Sequence, residues 1–349
     1  MQYFAERLKA LRKSHGLSLQ DLADKCDHTV SKQALSKYEA GVMQPSRKIL
    51  DILAKVLKVR VSYFDTQPIF KLPAFEFKRK GDIPVKQLES IREKVKDMFE
   101  RYLQVESLLA IQFKFSNPVR PIPVADELAA ADVATKLLNK WDLGWGALHN
   151  VSGMLESKGL RVIEVESPAI FDGLSTYVGK IPVIVLHKDR PADIKRFAAM
   201  YELGQLVLNI TEGADRHKIC ETFAAAMLLP GDALETHLGN KRIAIAPGEL
   251  STIKEQYGLP MGAIMQQAVF KEIIDRKNAN GFFKMLADNA DETGLGVYTG
   301  QEKTYRFERM VYRLVAEDII DVEKAADLTG RSVEELQREI EVFEAVAQE

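Results

Sequence analysis

The stretch Ser31-Lys-Gln-Ala-Leu-Ser-Lys-Tyr-Glu-Ala-Gly41 decides how the amino-terminal part of the chain folds. Ser31 is of a residue type that caps the start of a helix, and Gly41 is of a type that ends one. Leu35 and Tyr38 recur at helical spacing, so they are predicted to pack inward together with Ala34. The outward side chains are then polar or basic, the types that contact base edges and phosphates in the major groove: Lys32, Gln33, Ser36 and Lys37.

Three further helices are predicted around this stretch. Phe4, Leu8 and Leu11 recur at helical spacing between residues 3 and 13. Ser18 is placed to cap a second helix. The Pro45-Ser46 pair opens a fourth helix that is apolar as far as Leu57.

The charge of the chain is unevenly distributed. Residues 1–60 hold 12 Lys and Arg against 6 Asp and Glu, a net charge of +6. Since the whole chain has a formal charge of −2, the remainder has −8. A polyanionic partner would therefore bind the amino-terminal end.

Residues 1–66 resemble the XRE (Cro/repressor-type) helix-turn-helix domain, above all in the Ser31–Gly41 run. Two features depart from the family pattern: Leu19 replaces a frequent glutamine, and the turn before Ser31 is about two residues longer than usual. The resemblance implies binding to a double-stranded DNA operator through Lys32, Gln33, Ser36 and Lys37, by a homodimer on a palindromic site. The alternative is a small helical bundle whose positive charge is only solvated.

Residues 67–122 are predicted to connect two folded parts. Prolines punctuate Gln67–Pro73, which predicts an extended linker, and residues 75–80 alternate like a short strand. Residues 85–110 have the apolar spacing of a long helix, which would pack between domains or against a second subunit. A second proline-rich stretch, Asn117–Pro123, marks a boundary to the next domain.

Residues 123–300 are predicted to form a small sheet surrounded by helices. Helices are expected at residues 129–141 and 151–158. Residues 160–165 and 181–186 are rich in β-branched side chains and read as strands, and residues 171–177 read as a turn feeding a third strand.

The stretch Phe197-Ala-Ala-Met-Tyr-Glu-Leu-Gly-Gln-Leu-Val-Leu-Asn209 has the pattern of a zinc-peptidase helix without its histidines. In such a helix, His-Glu-x-x-His places two imidazoles one turn apart, with the glutamate between them as general base. Here the two ligand positions are Tyr201 and Gln205, while the glutamate position, Glu202, is unchanged.

The central region resembles the ImmA/IrrE-type metallopeptidase domain in its Phe223-Ala-Ala-Ala-Met-Leu-Leu-Pro230 and Phe171-Asp-Gly-Leu-Ser175 runs. The resemblance implies zincin-like active helices and a third zinc ligand at the position of His217. Asp172 and Ser175 are interpreted as turn residues rather than a catalytic pair.

The residues at these positions are poor zinc ligands. A carboxamide is a weak donor, and tyrosine binds well only as a phenolate, whose reference pKa is near ~10. No cofactor is therefore expected, and zinc only if this degenerate site still binds it. Tyr201, Glu202, Gln205 and His217 would form a buried hydrogen-bonded pin or line a pocket for a ligand or peptide. The rival hypothesis is an active metallopeptidase with Glu202 as base, cleaving a repressor or partner protein.

Residues 301–349 are predicted to be a helical packing or dimerisation element, with a turn at Gly330 and a cap at Ser332. Acidic residues around the turn argue against a second DNA-binding unit. The predicted class is thus α+β and mostly α: a helix-turn-helix domain, a helical connector, a small sheet with zincin-like helices, and a helical tail.

These features predict a transcriptional regulator with a catalytically degenerate peptidase-like sensor or partner-binding domain. It is expected to be a repressor, and an antitoxin or prophage-type regulator with a toxin or other protein partner is the variant left open. A cytoplasmic location without membrane insertion is expected, because no apolar run approaches the ~20 residues that span a bilayer. The two cysteines fit a reducing compartment.

Overall fold

The computed structural model describes residues 3–65, 83–111, 114–168, 171–290 and 292–347. The predicted linker at residues 67–73 and the predicted strand at residues 75–80 lie outside the described residues. The described part is mostly helical and contains two small sheets, which confirms the predicted class at this coarse level.

The amino-terminal domain has four helices and a closing 3₁₀ turn: α1 Phe4–Ser14, α2 Leu19–Lys25, α3 Lys32–Glu39, α4 Arg47–Val56 and the turn Val61–Asp65. The starts of α2, α3 and α4 are set by the serines that the sequence indicates. Ser18, Ser31 and Ser46 each accept a hydrogen bond from a backbone N–H of the first helical turn. The longer turn before α3 places Asp27 and His28 at φ values of 50° and 55°, in the left-handed region.

Helix α5, Val85–Leu108, lies between the amino-terminal domain and the carboxyl-terminal helices. The helix packs against α1 over its first two thirds, where Lys13 of α1 binds Glu89 at 2.6 Å and Arg7 binds Glu100 at 2.9 Å. The second half of α5 turns the buried Tyr102 and Val105 towards the carboxyl-terminal helices. The helix therefore packs between domains, the first of the two roles predicted for it.

The larger sheet has the strand order β2-β4-β3, with β2 Arg161–Val165, β3 Gly173–Val178 and β4 Ile181–His187. Strand β4 is parallel to β2 and antiparallel to β3. The predicted turn at residues 171–177 is wrong for most of its length, because β3 already begins at Gly173. Ser175 is consequently a buried strand residue, not a turn residue.

A second sheet of two short strands was not predicted. Pro123–Val124 (β1) pairs in parallel with Asn209–Ile210 (β5). This pairing joins the segment that enters the central region to the residues that follow its longest helix.

Eight helices are described around the sheets: α6 Glu127–Trp141, α7 Val151–Ser157, α8 Ala192–Val207, α9 Arg216–Leu228, α10 Gly231–Leu238, α11 Pro247–Tyr257, α12 Met261–Phe270 and α13 Arg276–Asp288. Helices α10 and α13 were not predicted. Helices α8 and α9 approach closely at Gly204, where a Cβ atom would lie 3.1 Å from Cδ1 of Phe223. Only glycine fits this contact without displacing the phenyl ring.

The tail consists of α14 Arg306–Ala316, α15 Val322–Thr329 and α16 Val333–Ala347. Gly330 has a φ of 72° between the last two helices, and the Ser332 hydroxyl accepts from the backbone N–H of Glu335, as the sequence predicts. Phe307, Val311 and Leu314 pack with the buried residues of α5. The packing role of the tail is thus visible within one chain.

A buried ionic cluster joins α5 to the sheet and to the tail. Arg161 donates two hydrogen bonds to the Glu106 carboxylate, at 2.7 and 2.8 Å, and Arg306 binds the same carboxylate at 2.9 Å. The side chain of Arg161 is only 1% exposed. Beside it, Glu156 accepts a hydrogen bond from the Tyr102 hydroxyl at 3.1 Å.

Replacing Glu106 by glutamine should lower the unfolding free energy by about 3 kcal/mol, because it leaves two arginines without their shared buried carboxylate. Denaturant-induced unfolding of the full chain would measure the change. Glu308→Gln, the same substitution at an exposed position of α14, is the control. Equal and small effects in both variants would contradict the proposed importance of the cluster.

The Glu156 carboxyl should make stability depend on pH. Burial raises its pKa from 4.5 to about 7. The unfolded chain then loses this proton at a lower pH than the folded chain does, so stability falls as the pH rises through this window. Glu156→Gln lacks this titrating group, so its stability should not fall in this way. The unfolding free energy of the variant minus that of the parent should therefore rise by about 2 kcal/mol between about pH 5 and about pH 8. Parallel pH profiles of unfolding free energy would contradict this assignment.

Candidate functional site

The four predicted DNA-contacting residues lie on the exposed surface of α3. Lys32, Gln33, Ser36 and Lys37 are all exposed, whereas Leu35 and Tyr38 are buried in the domain core. Ala34 is half-buried. The helix packs mainly against α1 and α2, so its polar surface points away from the domain.

An ion pair that the sequence reasoning missed fixes the orientation of α3. Arg12 of α1 donates to both carboxylate oxygens of Glu39 at the end of α3, at 2.6 and 2.8 Å. The same guanidinium donates to the carbonyl oxygen of Leu17 at 2.7 Å. A bidentate arginine–carboxylate pair fixes both distance and angle, so α3 is held in one position on the domain.

In the central region, the three degenerate ligand positions come together at the α8–α9 contact. The Arg216 guanidinium donates to Gln205 at 3.4 Å, and Gln205 Nε2 donates to the Tyr201 hydroxyl at 3.1 Å. The hydroxyl lies 3.1 Å from Nδ1 of His217, whose Nε2 lies 3.1 Å from the Glu221 carboxylate. We call these residues the α8–α9 chain.

The directions of these bonds are set by the available donors. Since Gln205 donates to the Tyr201 oxygen, we assign the Tyr201 hydroxyl as the donor to Nδ1 of His217. The other ring nitrogen, Nε2, then bears the proton that Glu221 accepts. Glu221 is one helical turn after His217 on α9. The pairing of these two side chains was therefore predictable from helical spacing alone.

The α8–α9 chain does not fit a zinc site. Burial raises the pKa of Tyr201 to about 12, so its hydroxyl is protonated at neutral pH and is not a phenolate ligand. The amide of Gln205 and the single imidazole of His217 do not complete a three-ligand set. Among the described residues, no group of three or more His, Cys, Asp and Glu side chains is placed to hold a metal ion.

Glu202 lies on the sheet side of α8 and is buried. Its carboxylate accepts a hydrogen bond of 2.5 Å from the Ser175 hydroxyl of β3. Its Cγ is so close to Gly173 that a Cβ atom there would lie 2.8 Å away. Asp172, the other residue of the predicted turn, pairs with Arg190 at the surface. Ser175 and Asp172 therefore have separate partners.

A cleft of about 360 Å³ opens beside Tyr201 and Glu202. Its lining combines aromatic, aliphatic and charged residues: Phe171, Asp172, Gly173, Arg190, Ile194, Phe197, Ala198, Tyr201, Glu202, Glu221 and Pro260. A second cleft, of about 520 Å³, shares Phe197, Glu221 and Pro260 with it. We call the pair the central cleft. Strand β3 forms the edge of the sheet next to it.

Comparison with known proteins identifies the amino-terminal domain. A family model described as helix-turn-helix matches residues 8–64. This confirms the predicted XRE-type domain and, with it, the class of DNA-binding transcription regulators. No curated protein and no solved structure matches the chain.

The resemblance of the central region to ImmA/IrrE peptidases is not supported by this match and stays a prediction. No helix within the described ranges is long and apolar enough to cross a membrane.

Restoring the missing ligands tests the peptidase-like interpretation. If α8 and α9 have zincin-like geometry, Tyr201→His, Gln205→His and His217→Glu together should bind about one zinc per chain, since two imidazoles and a carboxylate then meet. Elemental analysis after dialysis against a weak chelator would measure it, with Tyr201→His alone as the control. A folded triple variant that binds no more zinc than this control would contradict the zincin-like geometry.

Proposed function

We propose that the protein represses transcription by binding a specific DNA operator through α3, and that its central domain binds a protein partner instead of cleaving one. The helix-turn-helix match over residues 8–64 is the observation on which this rests. The exposed set Lys32, Gln33, Ser36 and Lys37 supplies donors and acceptors suited to base edges and phosphates.

Phosphate contacts would come from the start of α4, the helix that follows α3 in the chain. Arg47 and Lys48 are exposed in the first turn of α4, where backbone N–H groups and the helix dipole also favour anions. The net charge of +6 over residues 1–60 favours DNA at this end of the chain. In this proposal α3 contacts the DNA bases, and α4 contacts the phosphates of the DNA backbone.

A homodimer is part of the proposal. One helix-turn-helix domain offers few base contacts, and two domains on a palindromic site double them. The helical tail formed by α14, α15 and α16 is the candidate dimerisation element in this proposal.

The central cleft supports a partner-binding role. Among the residues that the structure describes, strand β3 pairs only with β4, and the proposed binding mode is an extended peptide that adds to its other side. The Tyr177 hydroxyl of β3 donates to the Leu206 carbonyl oxygen of α8, which fixes this edge beside the cleft. A protein partner that inserts a strand there, including a toxin, fits this geometry.

Zinc-dependent hydrolysis is not proposed. Glu202 needs a metal-bound water to act as the base of a zinc peptidase, because the pKa of free water is ~15.7. The donor set of Tyr201, Gln205 and His217 does not fit that metal. The hydrogen-bonded α8–α9 chain supports the structural pin, and the adjacent cleft supports a binding role.

The combined variant Lys32→Ala and Ser36→Ala should lose specific operator binding. Each lost base contact is worth about 1–3 kcal/mol, so the affinity should fall at least about 30-fold. Operator DNA would be selected in vitro with the full chain, and fluorescence anisotropy would measure affinity at several salt concentrations.

Lys277→Ala with Ser157→Ala changes the same residue types on exposed surfaces of the central region and serves as the control. It should bind like the parent. Unchanged specific affinity in the α3 variant, with its fold intact, would show that α3 is not the recognition helix.

A further inference from the structure

A separate pocket of about 270 Å³ lies where the amino-terminal domain, α5 and the tail meet. Its walls come from residues 58–63 after α4, from residues 97–104 of α5, and from residues 324–332 around the turn between α15 and α16. We call it the junction pocket. It is distinct from both α3 and the central cleft, because it shares none of their lining residues.

The junction pocket has an excess of positive charge. Its lining includes six basic residues, namely Arg7, Lys58, Arg60, Arg101, Lys324 and Arg331. Only three acidic residues, Asp97, Glu100 and Asp327, line it as well. An anion that enters the pocket is therefore attracted by a net charge of +3 on the lining.

Each acidic residue of the lining already pairs with one basic residue. Arg7 binds Glu100 at 2.9 Å, and Arg60 lies 3.4 Å from Asp327. Asp97 pairs with Arg101.

Two of the remaining cations are lysines on opposite sides of the pocket. Arg331 pairs with Glu339, outside the lining, whereas Lys58 and Lys324 form no ion pair with any residue that the structure describes. Two lining cations, one on the amino-terminal domain and one on the tail, are thus outside the described ion pairs, and Glu166 acts on Lys58 only through a longer-range attraction.

The rest of the lining is suited to an organic group. Val59, Ala326 and Leu328 are apolar, and the ring of Tyr63 lies under the Arg7 guanidinium at 5.2 Å. The Tyr63 hydroxyl donates to Asp97 at 3.0 Å, which fixes the ring at the wall. Apolar and aromatic walls with a few charged groups are typical of small-ligand pockets.

We propose that the junction pocket binds a small phosphorylated organic molecule. A phosphate monoester has a charge of about −1.5 to −2 at neutral pH, which complements the net positive lining and the two lysines that form no described ion pair. Its organic part would lie against Tyr63 and the apolar residues. The volume sets the size, since about 270 Å³ is at the lower end for ligand pockets.

The bound molecule would join the amino-terminal domain to the tail. These parts already touch across the pocket, where Arg60 donates to the Glu323 carbonyl oxygen at 3.1 Å and Arg101 of α5 donates to that of Leu328 at 3.3 Å. A phosphate between Lys58 and Lys324 adds a further link. Any effect on operator affinity rests on the proposed DNA-binding function, whereas binding of the ligand does not.

The test is isothermal titration calorimetry on the full chain without DNA, at low salt. The probes are adenosine 5′-monophosphate, glucose 6-phosphate and inorganic phosphate. At least one of the two organic phosphates should bind at one per chain and more tightly than inorganic phosphate. No binding of either organic phosphate, or binding no tighter than that of inorganic phosphate, would overturn the proposal.

The variant Lys58→Gln with Lys324→Gln should weaken the affinity about tenfold, because two charges close to the phosphate are removed. Neither lysine side chain forms a hydrogen bond or an ion pair with a described residue, and a parent-like unfolding curve would verify the fold. Lys58→Arg with Lys324→Arg restores the charge and should restore binding.

Two controls place the ligand. Lys241→Gln with Lys277→Gln makes the same charge change on exposed surfaces elsewhere and should leave the affinity unchanged. Lys32→Ala with Ser36→Ala should also leave it unchanged, since the phosphate does not bind α3. Equal loss in either control would assign the binding to general surface charge and overturn the proposal.

Discussion

The buried carboxylate of Glu106 is the interaction on which the arrangement of the chain depends. It lies on α5 and binds Arg161 at the start of β2 and Arg306 at the start of α14. Charges in the interior are tolerated only when they are paired and hydrogen-bonded, so none of the three residues is able to move alone. The connector, the sheet and the tail are thereby fixed relative to one another by one group.

The same helix also determines where the DNA-binding domain sits. Six and nine residues before Glu106 on the same helix, Glu100 and Asp97 bind Arg7 and Tyr63 of the amino-terminal domain, and Arg101 contacts the tail. The junction pocket is formed by these residues, which are part of one continuous helix with Glu106. A ligand in the junction pocket would therefore contact the same helix that positions the sheet.

The amino-terminal domain was predictable because its helix caps join residues close together in the sequence. The rest of the fold was less predictable because it depends on pairs of residues far apart in the sequence. Ser18, Ser31 and Ser46 cap helices through bonds to residues three positions away, so the sequence pattern contains both partners. Arg161 and Glu106 are 55 positions apart, and nothing local indicates their pairing. For the same reason Ser175 looked like part of a turn: its strand partner Ile184 and its hydrogen-bond partner Glu202 both come from other elements.

The two central helices α8 and α9 are held together by shape and by direct hydrogen bonds. The contact of Gly204 with Phe223 depends on shape alone. It packs α8 against α9 independently of the residues at positions 201, 205 and 217. Tyr201 and His217 then bond directly across the space between the helices, where a metal would require three donors and an open position. With Arg216 at one end and Glu221 at the other, every member of the α8–α9 chain has a partner, so the site is complete as a structural link. The proposed partner-binding surface lies beside this link, in the central cleft next to β3.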